Sequence, residues 1–398
     1  MARILIAWEL GGGFGHILRY KTLITHLLDQ GHRVCFAARD LASVRQVLAE
    51  QRLTLVQAPI SLRNSGPVAE PIENYAYILH NTGFNDPCGL SARLQAWQFI
   101  YNSVQPDLVI FDHCPTGLLA ARHYSFATLQ CGNGFTTPPE ISPFPALRES
   151  AAGPKALLKF EQRVLANANE ALKACGADRL DRLQDLLRTD RTLLLTLEAL
   201  DRYGDRERGE YIGPVFADHH GKPVNWSVGR QPRVFGYLKN TKSLPTLVAT
   251  MKNQPAKTVI YAPEVGQKDK DRFGGGGIRF IDTPASLPAS IRDCRFVINN
   301  GNLGTVLMAL LTGVPLLLLP DTLEQYLNAR CVEKLGAALI AGKQSDPGTI
   351  SNHVQRLLED DSYMKQARRF ASEHRDFEPG QPTLCLIEAV DGLLQTRS

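Results

Sequence analysis

A histidine in a glycine-rich segment and an aspartate at the end of an apolar run could together form a general base. His16 closes the glycine-rich segment GGGFGH after the run RILIAW, and Asp112 ends the run LVIFD. Such runs predict buried strands, so both residues are expected at the carboxyl ends of strands. A carboxylate there can accept one imidazole N–H and leave the other ring nitrogen free to take a proton. Asp112 could instead cap the helix predicted from Pro115, and His113 competes locally for the same role.

A second turn combines amides, glycines and a hydroxyl at the start of a predicted helix. Residues 299–305 read NNGNLGT, between one apolar run and the next. N–H groups at a helix N-terminus, with amide side chains and a hydroxyl beside them, suit an anion such as a pyrophosphate. A capped turn that binds nothing is the alternative.

The elements that position these residues alternate between strand and helix patterns. Residues 3–8 and 33–37 read as strands on either side of a helix, which is a βαβ unit with a parallel sheet, and residues 233–319 repeat the alternation. We predict an α/β protein with two Rossmann-like domains that face each other across a cleft. Their predicted bounds are 1–215 and 233–375, with a linker at 216–232 and a C-terminal helical segment, 376–398, that returns to the first domain.

Composition excludes several classes of protein. The chain has 398 residues, 44% of them hydrophobic, and a net charge of +4, which argues against a disordered chain and against a dedicated nucleic-acid binder. Eight cysteines without a C-x-x-C pair predict reduced thiols. No signal peptide or membrane span is recognised, so we expect a soluble cytoplasmic protein. The glycines at 11–15 lack full G-x-G-x-x-G spacing, and Asp29 falls inside the predicted helix, which argues against NAD.

Residues 293–336 resemble the C-terminal signature of UDP-dependent glycosyltransferases of the GT-B fold, in particular the plant and bacterial natural-product family. That signature passes from an apolar strand through a His-Gly-Gly turn and a helix to Gly-Val-Pro and an acidic-Gln pair; this chain has NNGN, GVP and EQ at the corresponding places. The family's N-terminal G-H…G-H-x-V pattern is matched by Gly15, His16, Gly31 and His32. Tyr211 to Pro214 (YIGP) is similar to the end of the family's first domain. The resemblance covers most of the chain.

The resemblance implies a role for each matching residue. His16 would deprotonate the acceptor hydroxyl, with Asp112 as its partner. Asn300 would contact donor phosphate in place of the family's histidine, and Lys239 could restore the charge that this replacement removes. The donor-binding set is Lys239, Thr283, Asn300, Gly301, Asn302, Gly304, Thr305, Glu324 and Gln325, the last two at sugar hydroxyls. Acceptor-binding candidates are Phe14, Asn133 and Phe135, and irregular segments at 61–90 and 132–146 are expected to face the acceptor.

The function implied is metal-independent, inverting transfer of a sugar, with a UDP-sugar as the expected donor, to a hydroxyl or other nucleophile of a small or amphiphilic acceptor. The nucleotide sugar is a co-substrate, so no cofactor is expected; nucleic acid is not an expected partner, and peripheral membrane contact is left open. One alternative is a lipid-linked acceptor, because QYLNA at 325–329 is similar to the peptidoglycan-type relatives. The others are a nucleotide-sugar 2-epimerase and a non-catalytic auxiliary protein with a degenerate donor site.

Overall fold

The chain forms two compact units, residues Met1–Ala217 with Pro379–Ser398 and residues Asp218–Glu378. The computed structural model describes residues 1–62, 66–149, 152–204, 206–207, 209–216, 221–342 and 345–396. Residues 217–220 of the predicted linker therefore lie outside the described residues. Both units are α/β, and each contains a parallel sheet, which confirms the predicted pair of Rossmann-like domains.

In the first unit, the described residues form a seven-stranded parallel sheet of order β3-β2-β1-β4-β5-β6-β7. Its strands are β1 (Arg3–Trp8), β2 (Arg33–Ala38), β3 (Thr54–Gln57), β4 (Leu108–Asp112), β5 (Ala127–Gly132), β6 (Arg191–Leu194) and β7 (Glu210–Tyr211). Its helices are α1 (Gly15–Leu18), α2 (Lys21–Asp29), α3 (Leu41–Val47), α4 (Tyr75–Leu79), α5 (Pro87–Val104), α6 (Pro115–Ala121), α7 (Pro154–Ala174) and α15 (Gln381–Gln395), with a π turn at His80–Phe84 and 3-10 turns at Leu183–Leu187 and Glu198–Leu200.

The central strands β1 and β4 bring the two predicted site segments to one edge of the sheet. Both strands are almost wholly buried and apolar, as expected for a sheet covered by helices on both faces. Their register pairs Trp8 with Asp112. The strand order reverses between β1 and β4, so the loops that follow them diverge and leave a crevice at their carboxyl ends.

The C-terminal helix α15 belongs to the core of the first unit. Leu386, Ala389 and Val390 are fully buried in the same cluster as Ile4 and Ile6 of β1. Burying apolar side chains at this spacing, three and four residues apart on one helix face, stabilises the docked helix. None of the helices among the described residues is long and apolar enough to cross a membrane.

In the second unit, the described residues form a six-stranded parallel sheet of order β10-β9-β8-β11-β12-β13. Its strands are β8 (Arg233–Tyr237), β9 (Lys257–Tyr261), β10 (Ile278–Ile281), β11 (Cys294–Asn299), β12 (Leu316–Leu318) and β13 (Ala338–Ile340). Its helices are α8 (Leu244–Lys252), α9 (Gln267–Phe273), α10 (Leu287–Ile291), α11 (Leu303–Leu311), α12 (Leu323–Lys334), α13 (Pro347–Glu359) and α14 (Ser362–Glu373). The order reverses between β8 and β11, where Tyr237 pairs with Asn299.

Candidate functional site

His16 and Asp112 form a hydrogen-bonded pair in the crevice after β1 and β4. The loop after β1 leads directly into α1, and the Nδ1 atom of His16 lies 2.9 Å from Oδ1 of Asp112. The aspartate has no exposed side-chain surface, whereas the histidine side chain is 13% exposed. An ionised carboxylate can only accept, so Nδ1 carries the proton of this hydrogen bond. The arrangement leaves Nε2 as the basic nitrogen.

Trp8 and Gly11 determine how the His16 ring is held. The Trp8 ring stacks on it with centroids 5.2 Å apart and planes inclined by 12°. Gly11 has φ of +87°, and a Cβ atom there would lie 2.6 Å from Nε2 of His16. Any side chain at position 11 would therefore cover the nitrogen that has to accept a proton. The absence of a side chain at Gly11 therefore permits the turn and also keeps Nε2 of His16 accessible.

The Asp112 carboxylate is held in its charged form. Burial by itself raises its pKa, but the nearby Arg19 and His16 more than offset this and bring the pKa below its usual value. Nη1 of Arg19 lies 3.6 Å from Oδ2 of Asp112. At neutral pH the pair therefore has an anion behind the imidazole.

His113, the competing candidate, lies in a different environment. Its side chain is buried, its backbone has φ of +42°, and its Nε2 atom has no hydrogen-bond partner among the described residues. Burial, with the electrostatic interaction with His16 as a second cause, lowers the pKa of His113 to about 3. His113 is thus a neutral imidazole, and the described residues give it no carboxylate hydrogen bond like that of His16.

Glu9 is a site residue that the sequence analysis missed. It directly follows β1, is 1% exposed, and its Oε2 atom accepts the N–H of Thr116 at 2.9 Å. This N–H belongs to the first turn of α6, so Glu9 caps the helix that Asp112 was considered to cap. Burial raises the pKa of Glu9 to about 7. A charged residue directly after a buried strand was the available signal in the sequence.

The three acceptor-binding candidates have different surroundings. Phe14 is 43% exposed and directly precedes α1. The Phe135 ring lies edge-on to His113, with centroids 6.3 Å apart, which brings it near the His16–Asp112 pair. Asn133 accepts the N–H of Thr136 at 3.1 Å and so shapes the turn after β5. The structure therefore presents two aromatic rings near the pair and uses the Asn133 amide within its own loop.

In the second unit, the NNGN segment forms a tight turn at the start of α11. Oδ1 of Asn299 accepts the N–H groups of Gly301 and Asn302, both at 2.8 Å, and Gly301 has φ of +93°. The N–H groups of residues 303–305 have no hydrogen-bond partner among the described residues. Gly304 is exposed, with no atom within 4 Å of its Cβ position, and Thr305 is buried beneath it. This is an open helix N-terminus suited to an anion.

The Asn300 amide forms hydrogen bonds inside the second unit. Its side chain is fully buried; Oδ1 accepts the N–H of Lys239 and Nδ2 donates to the Leu319 carbonyl, both at 2.9 Å. These bonds connect the turn to the segments that follow β8 and β12. The Asn300 amide thus has structural partners on both sides, and its contact with a donor phosphate stays a prediction.

The acidic-Gln pair is also partly used within the fold. Oε1 of Gln325 accepts the N–H of Thr322 at 3.2 Å, and Thr322 caps the N–H of Gln325, so the two form a capping box at the start of α12. Nε2 of Gln325 donates to Oδ1 of Asn302 at 3.1 Å. Glu324 lies half-buried in the first turn. Gln325 thus connects α12 to the NNGN turn, and this explains why an asparagine fits at position 302.

The two remaining donor-binding candidates lie on neighbouring loops of the second unit. The Lys239 side chain is half-buried after β8, and its main-chain N–H is bonded to Asn300; Thr283 is exposed after β10. No group of three His, Cys, Asp or Glu side chains that could hold a metal ion occurs within the described parts of the chain.

Parts of the chain are similar to known glycosyltransferases. Residues 256–383 match the family model "Erythromycin biosynthesis protein CIII-like, C-terminal domain". A rhamnosyltransferase of PGL/p-HBAD biosynthesis from Mycobacterium bovis is 28% identical over 180 residues, which are 44% of this chain and 39% of the relative. The elloramycin glycosyltransferase of Streptomyces olivaceus is 31% identical over 158 residues, 36% of this chain and 39% of the relative. The chain thus matches about two fifths of the length of these relatives.

A solved structure extends the likeness over the whole fold. The spinosyn rhamnosyltransferase SpnG, in complex with spinosyn aglycone, matches with a TM-score of 0.70 and 19% identity over 98% of this chain and 100% of that protein. The same enzyme has also been solved with thymidine diphosphate. At this identity the likeness shows the fold alone. The chain therefore has the GT-B fold of this solved glycosyltransferase, and its second unit is similar to the C-terminal domain of a natural-product glycosyltransferase family.

Proposed function

We propose that this protein transfers a sugar from a nucleoside diphosphate sugar to a hydroxyl group of a small or amphiphilic acceptor. The observation that carries this proposal is the His16–Asp112 pair, with Nδ1 bonded to a buried carboxylate and Nε2 left uncovered by Gly11. The likeness to natural-product glycosyltransferases and the open N-terminus of α11 support it.

The His16–Asp112 pair supplies the base for a single displacement. Nε2 of His16 takes the proton from the acceptor hydroxyl while the hydroxyl oxygen forms a bond to the anomeric carbon of the donor sugar. The bond from that carbon to the diphosphate oxygen breaks, and the diphosphate leaves with the electron pair. Attack from the face opposite the leaving group inverts the anomeric configuration. Asp112 holds the tautomer and stabilises the imidazolium that forms.

The second unit would hold the donor through its diphosphate. The N–H groups at the start of α11 donate to the phosphates, and the helix dipole favours the negative charge that develops on the leaving group. We therefore propose that no metal ion is needed. The donor would be a pyrimidine nucleoside diphosphate sugar: the sequence resemblance favours UDP, and SpnG has been solved with thymidine diphosphate.

A second candidate function is a non-catalytic partner that binds no donor. The specific observation in its favour concerns Asn300 and Gln325, which the resemblance assigns to donor binding. Their side chains form hydrogen bonds within the second unit. Nucleotide binding separates the two candidates, because the partner protein should bind neither UDP nor thymidine diphosphate.

The experiment combines calorimetric titration of both diphosphates with transfer assays on a panel of UDP- and dTDP-sugars. His16→Ala should lower transfer by about 10²–10⁴-fold and leave nucleotide affinity near that of wild type. The matched control is His123→Ala, which removes an exposed histidine of the same unit. Turnover of His16→Ala within a few-fold of the control would refute the assigned base. Addition of EDTA should leave transfer unchanged.

A steric probe tests the phosphate site. Gly304→Val places a side chain in open space at the start of α11, so it should weaken diphosphate binding without disturbing the core. Gly392→Val in α15 is the control, because its Cβ position is equally open. Unchanged UDP and thymidine diphosphate affinity in Gly304→Val would exclude this helix N-terminus as the diphosphate site.

A further inference from the structure

Arg19 is a third ionisable group beside the His16–Asp112 pair. It lies at the end of α1, and its Nε atom donates to the Gly15 carbonyl at 2.8 Å, which directs the guanidinium back along the helix. Nη1 lies 3.6 Å from Oδ2 of Asp112, while Oδ1 is bonded to His16 at 2.9 Å. The two oxygens of one buried carboxylate are therefore divided between an imidazole and a permanent cation.

This division has a consequence for the protonation of His16. A buried carboxylate without a second partner would strongly favour the imidazolium form, and an imidazolium cannot accept the acceptor's proton. A guanidinium at the far oxygen offsets the negative charge that the imidazole experiences. It also keeps Asp112 ionised, so the carboxylate still holds the tautomer.

We propose that Arg19 is a positioning residue that keeps His16 in its proton-accepting form at neutral pH by offsetting the charge of Asp112. This inference rests on the proposed function, because it concerns the same base. Arg19 touches neither the acceptor nor the donor in this mechanism; it acts through Asp112.

Besides Arg19 and His16, four titratable groups among the described residues interact with Asp112, namely His113, Cys131, Tyr20 and Cys114, and all four are neutral near pH 7. Burial lowers the pKa of His113 to about 3 and raises the pKa of Cys131 to about 12. Burial also raises the pKa of Tyr20 well above its ordinary value. Trp8, which covers the imidazole, carries no charge. The balance of charge that His16 experiences from these elements is therefore set by Asp112 and Arg19.

The effect of removing the cation can be estimated. The Arg19 guanidinium and a protonated His16 are separated by the Asp112 carboxylate. In surroundings that are intermediate between protein interior and water, their repulsion is equivalent to a shift of about one unit in the pKa of the imidazole. Arg19→Met should therefore shift the acid limb of the kcat/KM profile to higher pH by about one unit. Transfer near pH 6 should fall about tenfold, while transfer at high pH should stay close to that of wild type.

The test measures this profile for wild type, Arg19→Met and Arg19→Lys. It also follows the His16 resonance by NMR in histidine-labelled full-length protein, with His16→Gln for assignment. In Arg19→Met, the acid limb of the kcat/KM profile and the midpoint of the His16 NMR titration should shift together to higher pH. Arg19→Lys should largely restore the wild-type values of both. A uniform loss of activity without a shift, or a lysine variant that behaves like the methionine variant, overturns the proposal.

The NMR titration separates this inference from the proposed function. A wild-type protein without transfer activity would refute the function, yet the His16 resonance would still report whether Arg19 controls its protonation. If Arg19→Met fails to fold, Arg19→Gln is the second variant, because its amide is neutral and can still donate to the Gly15 carbonyl. An unshifted His16 titration in that variant also overturns the proposal.

Discussion

Replacing Glu9 by glutamine should make the first unit more stable relative to wild type as the pH rises. Glu9 is 1% exposed and accepts the N–H of Thr116 at 2.9 Å. Glutamine keeps an acceptor oxygen for this N–H but cannot ionise. The substitution therefore isolates the cost of burying a charge at this position.

The size of the effect follows from the displaced pKa of Glu9. Burial raises it from 4.5 to about 7, although the hydrogen bonds from Thr116 and the charge of Arg93 act in the opposite direction. An acid whose pKa is raised on folding contributes its full stabilisation below the unfolded pKa and loses it as the pH rises through the folded pKa. The interval between the two values corresponds to roughly 3 kcal/mol, lost between about pH 4.5 and pH 8.

The assay is urea unfolding of the wild type and of Glu9→Gln at several pH values from 5 to 8. A Trp226→Phe background restricts the fluorescence signal to the first unit, which contains Trp8 and Trp97. From pH 5 to pH 8, the free energy of unfolding of Glu9→Gln should rise by up to about 3 kcal/mol relative to that of wild type. A pH-independent difference between the two proteins does not affect this comparison. Glu388→Gln, an exposed substitution in α15, is the control. Parallel pH curves for wild type and Glu9→Gln would refute the assigned burial cost.

The remaining predictions concern the two turns. Gly11→Ala should abolish transfer, because the added Cβ meets Nε2 of His16, whereas Gly12→Ala, with no atom within 4 Å of its Cβ, should retain transfer in the same assay. Asp112→Asn should reduce kcat less than His16→Ala does, since the imidazole remains but loses the partner that sets its tautomer; a kcat equal to wild type would contradict this role. Asn300→Ala should lower the free energy of unfolding by about 2 kcal/mol in urea titrations, because the buried Leu319 carbonyl and the half-buried Lys239 N–H lose their partners. Unchanged stability would show that water replaces the amide.

The fold was predictable because its local signals agree with one another. Apolar runs such as residues 3–8 and 108–112 form the buried central strands β1 and β4, and the glycine turn that follows residues 3–8 marks the carboxyl end of β1. The segment at 61–90 was less well predicted. It was expected to be irregular, yet it contains α4, in which Tyr75 and Leu79 are buried. Its asparagines, prolines and glycines favour irregular structure locally, whereas tertiary contacts stabilise a short helix there.

The sequence by itself determined which residues lie at the carboxyl ends of the strands, since the period of apolar residues and the positions of glycine turns are local properties. It therefore placed His16, Asp112 and the NNGN turn at such ends. Only the tertiary structure decided what each polar side chain bonds to. Glu9 caps a helix that begins 106 residues later, and Asn300 joins segments near positions 239 and 319. Such contacts depend on strand order, on register and on the need of every buried polar group for a partner, and no local pattern in the chain records them.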